Sequence, residues 1–252
     1  MSLFRHSSKF DIYPPLDALI IFHHEWESLE SAANSFRFHY PSGKLFIARD
    51  TLPIEKRGSL EVLGAEYVNS YSTTEFFLNL KNSGRSLESI SNQEFLCKID
   101  QDLKRITEAL SLSNSEFLLF MEADSLVLGK VKFDSRFAMD TLTANRYGKP
   151  FLSFLKKTTG KRMPVGGWGF VTGVVRASSL AQSIQWGYQN QEILVKIFNK
   201  DKRFIYLDHF LPVLFHLAGE DIYESGQVGE CLRDTNWERK KYALLHQYRI
   251  NY

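Results

Sequence analysis

Cysteine is scarce in this chain. Cys97 and Cys231 are the only two in 252 residues. That excludes the disulfide lattice of a small secreted domain and a cysteine zinc site, and leaves a single bridge as an open question. No apolar run reaches the roughly 18–20 residues of a membrane span. Met1–Lys9 is polar and basic with no apolar segment behind it, so no secretory leader is expected. Charge of one sign is missing too: 31 Lys and Arg stand against 29 Asp and Glu. Nucleic-acid binding normally shows a basic stripe, so it finds no support here. A P-loop and a dinucleotide fingerprint are also absent. What remains is 44% hydrophobic and 14% aromatic, enough for a sizeable core and expected in a reducing, cytoplasmic compartment.

Periodicity gives an alternation of strands and helices. Asp17–Phe22, behind Pro14-Pro15, reads as a buried strand that exits at His23-His24. Two adjacent strand residues face opposite ways, so these histidines read as structural rather than as joint metal ligands. Trp26, Leu29, Ala33 and Phe36 recur at helical spacing up to Pro41-Ser42-Gly43, and Lys44–Ala48 is a second strand. Strand, helix, strand implies a parallel pair with a right-handed crossover. A short helix around 54–63 and a strand at 64–68 follow, and then a loop-rich stretch over 69–89. Ser91-Asn92-Gln93-Glu94 is a capping box for a helix with Phe95, Ile99, Leu103, Ile106 and Leu110 on one face. Further on, the patterns predict a strand at 149–155 with a basic turn at 156–162, one helix over 178–198 and a short strand at 204–207. A buried helix over 208–218 is closed by Gly219, with Pro212 expected in its first turn.

The most informative stretch is Phe117–Val127. Five apolar residues run into Glu122-Ala123-Asp124, which reads as a buried strand delivering two carboxylates to the sheet edge. In open α/β sheets ligands bind in the crevice outside the carboxyl ends of the strands. Two hard oxygen donors there suit Mg²⁺ or Mn²⁺ held against phosphates. The same spacing equally describes a solvated acidic turn.

A hydrophobic strand ending in acid-x-Asp resembles the DxD element of GT-A-type glycosyltransferases, with Glu122 in place of the first Asp. The resemblance implies an α/β, Rossmann-like single domain over 1–252, with a mixed, mostly parallel sheet flanked by helices. A nucleotide half (about 11–124) would precede an acceptor half and C-terminal tail (about 125–252). It further implies a nucleoside-diphosphate sugar donor (UDP or GDP), a glycan, glycoprotein or other hydroxyl acceptor, and Mn²⁺ or Mg²⁺. Glu122, Ala123 and Asp124 would meet the diphosphate and metal. Asp50, after the second strand, would contact the nucleoside; its other reading is a helix cap or turn. Gly167 and Trp168, in the glycine-rich run 164–173, would lie against the sugar. Asp208 would serve the acceptor hydroxyl, with Asp221 as the competing carboxylate. His246 would complete the metal shell and Arg249 would approach the phosphates, on a tail expected to close the site and to be dispensable for folding.

Some residues keep other readings. Lys98 and Arg105 share a helix side and fit a solvated basic face or a diphosphate contact; the basic run 156–162 fits a solvated loop or a phosphate clamp. Two other function classes compete with transfer. A phosphohydrolase would need an Asp nucleophile where Glu122 stands. A non-catalytic nucleotide-sugar or carbohydrate-binding module on the same fold differs only in turnover.

Overall fold

The structure, a computed structural model, describes residues 10–21, 26–48, 57–68, 73–141, 145–164, 167–168, 173–230 and 242–246. Strands β1 (Leu16–Ile21), β2 (Leu45–Ala48), β3 (Ala65–Val68), β4 (Phe117–Glu122), β5 (Met139–Asp140), β6 (Gly173–Arg176) and β7 (Ile222–Tyr223) form one sheet in the order β7-β5-β6-β4-β1-β2-β3. The pairs β4-β1, β1-β2, β2-β3 and β7-β5 are parallel, and β6 runs antiparallel to both its neighbours. The sheet is therefore mixed and mostly parallel, as the resemblance implied, and β1-β2 is the parallel pair expected from the alternation. Helices α1 (Trp26–His39), α2 (Arg57–Val62), α3 (Thr73–Asn82), α4 (Asn92–Leu112), α5 (Lys149–Thr159), α6 (Ala177–Gln189), α7 (Gln191–Lys200) and α8 (Leu207–Leu217) flank it.

β1 and β4 are apolar on both faces because both faces are covered. Leu19, Ile21, Leu118 and Phe120 join one core with α4, α6, α7 and α8. Ala18, Ile20, Leu119 and Met121 join another with Leu29, Ala33 and Phe36 of α1. Asp17 is the polar exception inside β1. Its carboxylate accepts from Lys44 N at 2.7 Å and Ser113 Oγ at 2.6 Å, which ties together the starts of β1 and β2 and the end of α4.

The turn before β2 has no room for a side chain. A Cβ at Gly43 would stand 2.1 Å from the Leu16 carbonyl oxygen and 2.9 Å from the Phe36 ring. The first contact is backbone and cannot rotate away. Gly43→Ala is expected to destabilise by about 1–3 kcal/mol or more, as overpacking does, read as a lower urea midpoint with unchanged slope.

Four elements differ from expectation. Residues 149–159 are helical: Pro150 sits in the first turn, Phe151 and Leu155 are buried four apart, and Gly160 closes the end at φ 73. The apolar pairs at 151–152 and 154–155 carry helical spacing inside what looks like a continuous run. Within the loop-rich stretch lies α3, whose Phe76 and Leu80 face the core four residues apart. The long helix over 178–198 is two, broken at Asn190. The expected strand at 204–207 is instead a 3-10 turn, Lys202–Ile205, leading into α8. Pro212 lies inside α8 and not in its first turn. It therefore offers no N–H to the Asp208 carbonyl four residues back.

Candidate active site

The register places the carboxyl edge. Glu122 lies opposite Ile21, Ile21 opposite Ala48, and Ala48 opposite Val68. Past Glu122 the chain turns at once: Ala123 N donates to Ile21 O at 3.2 Å and Ser125 N to Glu122 O at 3.0 Å. Ala123 and Ser125 are buried, 4% and 0% exposed, and Asp124 has its Oδ1 turned out of solvent. The turn is thus packed at its two small residues, while the Glu122 and Asp124 side chains are partly exposed.

A third carboxylate joins this edge from α8. Asp208 is pushed up to about 6, first by burial and then by the neighbouring Glu122 charge. The backbone N–H of His209, 3.0 Å from its Oδ1, and the Lys98 ammonium act in the opposite direction. Lys98 and Arg105 form no solvated face: both are 2% exposed. Lys98 pairs with Asp102 and donates to Ile205 O at 2.7 Å; Arg105 donates to Asp102 at 2.6 Å. The cluster thus fixes the 3-10 turn that launches α8, and with it Asp208. Burial lowers the Lys98 pKa, while Asp102 supports its charge. Asp102→Ala would strand two buried cations and is expected to cost about 3–5 kcal/mol, measured by urea denaturation. The seven-residue spacing of Lys98 and Arg105 showed that they share a side, and Asp102 between them was the available sign that this side is paired inward.

Two more segments reach the edge. Gly167–Trp168 pairs antiparallel with Asn145–Arg146 and lies against α8. The strand Leu244–His246 pairs with Leu126–Val127, Leu245 opposite Leu126 and Leu244 opposite Val127. One more register step sets the backbone of His246 level with Ser125, immediately beyond Asp124. Asp221 is elsewhere. It precedes β7 at the level of Phe117, five residues from Glu122 along the strands or about 16 Å, and three strands across. Asp50, Arg249, His23, His24 and Cys231 lie outside the described residues; Cys97 is a free, exposed thiol.

Sequence reasoning passed over Tyr147. It is 5% exposed and stacks on Phe151 with centroids 5.4 Å apart. Its ring also lies 5.2 Å from His209. The phenol is buried, and Asp208 adds to burial in raising its pKa. An aromatic after a turn carries no sequence signal for that. Among the described residues no three His, Cys, Asp or Glu side chains are gathered as a ready metal cluster, and no helix is long and apolar enough to cross a membrane.

No family model and no curated protein matches the sequence. Among solved structures, the chain is similar to the galactosyltransferase LgtC in complex with donor and acceptor sugar analogs, at 10% identity and TM-score 0.48 over 91% of this chain and 86% of that one. It is similar to the glycosyltransferase GlyE of Streptococcus pneumoniae, at 11% identity and TM-score 0.46 over 93% and 55%. The mannosyltransferase PcManGT of Pyrobaculum calidifontis, in complex with GDP-Man and Mn²⁺, aligns at 9% identity and TM-score 0.38 over 73% and 52%. This chain spans about half the length of the last two.

Proposed function

We propose that the chain is a glycosyltransferase moving a sugar from a UDP- or GDP-sugar to an acceptor hydroxyl with Mn²⁺ or Mg²⁺. The observation that supports it most is the approach of Asp208 on α8 to Glu122, close enough for the Glu122 charge to raise the Asp208 pKa, at the carboxyl edge of a mostly parallel sheet. A divalent cation suits that edge, because Glu122 and Asp208 raise the local negative charge and the motif supplies hard oxygen donors. In this reading Asp124 ligates directly and Glu122 ligates or acts through water. His246 adds a nitrogen, which tilts preference toward Mn²⁺. When bound, the cation neutralises the departing diphosphate. Asp208 orients the acceptor hydroxyl and takes its proton. Gly167 and Trp168 flank the sugar, Asp50 contacts the nucleoside and Arg249 the phosphates. The single domain divides near residue 124 into nucleotide and acceptor halves.

The test is a thermal-shift panel of UDP- and GDP-sugars with and without Mn²⁺, followed by transfer assays on glycan acceptors. A ligand at about a hundred times its dissociation constant adds about 2.7 kcal/mol of stability. A shift seen only with nucleotide and metal together is expected. No shift with any member overturns the reading; binding without turnover leaves a nucleotide-sugar-binding module.

A further inference from the structure

At the far end of α8 from Asp208, a cavity of about 260 Å³ is lined by Thr158 and Thr159 of α5, Lys161, Trp186, Ile193, His216, Leu217 and Gly219. Eight residues of α8 separate Asp208 from His216, about 12 Å of rise, so this cavity is not the carboxyl-edge site. Its walls differ in kind. Trp186, Ile193 and Leu217 give an apolar side, with Trp186 only partly buried. The rest of the lining includes the His216 ring, whose Nε2 is 3.3 Å from Thr159 Oγ1, and two threonine hydroxyls, which donate to the Phe154 and Leu155 carbonyls and so can meet a ligand only as acceptors.

The charges narrow what fits. No carboxylate lines the cavity, so nothing matches an amine or a metal ion. Lys161 is the one cation in the lining, and the carbonyl ends of α5 and α8 point their negative poles to the same place. That is a poor cradle for phosphate. His216, 5% exposed, is held below its usual pKa by burial and by Lys161, so its ring is uncharged at neutral pH. An aromatic side chain sharing one cavity with uncharged hydroxyl and imidazole groups suits a ring with an apolar C–H face and a polar hydroxyl rim. The volume, just under the usual range for drug-sized ligands, suits one such ring.

We infer that this cavity is a second carbohydrate site, holding one neutral pyranose unit against Trp186. Its role rests on the glycosyl-transfer reading: it anchors a sugar of the acceptor glycan other than the one being modified. Binding itself needs no turnover, which separates the two tests. The chain has four tryptophans, so ¹⁵N-labelled protein gives four indole N–H peaks, and Trp186→Phe assigns one. Methyl α-glucopyranoside, methyl β-galactopyranoside and methyl α-mannopyranoside are titrated separately, with inorganic phosphate as the anionic control.

The expected result is a saturable shift of the Trp186 peak with at least one glycoside and none with phosphate. Thr158→Tyr, an exposed substitution at the mouth, should weaken that binding at least tenfold while the thermal shift given by UDP or GDP stays unchanged. It should also lower kcat/KM for an extended glycan and leave that for a single-sugar acceptor alone. The inference is overturned if no glycoside moves the Trp186 peak, if Thr158→Tyr leaves the binding intact, or if phosphate produces the same shift.

Discussion

Asp124→Ala is expected to abolish the metal-dependent part of donor binding and to leave nucleotide affinity in EDTA where it was. Asp124 stands where the chain leaves β4 and turns one carboxylate oxygen out of solvent. Few ligands come from protein in such a site, since substrate phosphates and water complete an octahedral shell. Losing one of so few is not made up by neighbours. Glu122 is one residue away but belongs to the end of β4, opposite Ile21, and so is fixed in direction by the sheet. Calorimetric titration of UDP and GDP with and without Mn²⁺ reads the effect directly. Metal-enhanced affinity that survives in Asp124→Ala, or transfer indifferent to EDTA, would sink the metal assignment.

The tail belongs to the same test in altered form. The sequence suggested that it could be removed without harm to the fold. Leu244 and Leu245 are fully buried, and Leu244 N and Ala243 N both donate to Gln227 O. Truncation before Leu244 would therefore open the core and confuse folding with catalysis. His246→Ala is the cleaner variant: it keeps the strand and removes only the imidazole. A loss of at least roughly tenfold in Mn²⁺ affinity is expected, since removing even the outer-shell partners of metal ligands typically costs about ten- to a hundredfold.

Much of the N-terminal half was legible because its elements obey one period at a time. β1, β2 and β4 are short apolar runs between turn residues, and the box at Ser91 and Glu94 forms as written, each accepting from the other's backbone N–H. The C-terminal half was harder. Phe151, Leu152, Phe154 and Leu155 satisfy strand-like density and helical spacing together, and only packing decides between them. Lys98 and Arg105 misled for another reason. Charges are normally solvated, and their burial depends on Asp102 and on a carbonyl 107 residues away, at Ile205. No local pattern carries a contact of that range. The placement of Asp208 and Asp221 was likewise a matter of topology, since both are acids beside secondary structure and only the fold sets Asp208 near Glu122 and Asp221 at the level of Phe117.

Asp208→Asn should bind donor normally and lose transfer by a factor of about 10²–10⁴, the usual contribution of a general base. The amide keeps an oxygen to accept from His209 N, so α8 starts as before. What disappears is the negative charge and the proton acceptor. The carboxyl sits at about 6 because burial and Glu122 oppose its ionisation, against about 3.9 in an unfolded chain. A raised carboxyl pKa means that the folded state holds the proton more tightly. Its stabilising effect is complete below the unfolded value and is lost as pH rises from about 4 through 6. At neutral pH the ionised Asp208 therefore burdens the fold, by up to about 3 kcal/mol. Asn cannot ionise, so the variant should melt higher than the natural chain at pH 7 and show no advantage near pH 4. Greater stability with lost transfer and intact donor binding would be hard to obtain from a residue that only supports structure. Transfer near the natural rate would instead remove the protein base and favour a mechanism that retains the anomeric configuration, in which the departing diphosphate can itself take the acceptor's proton.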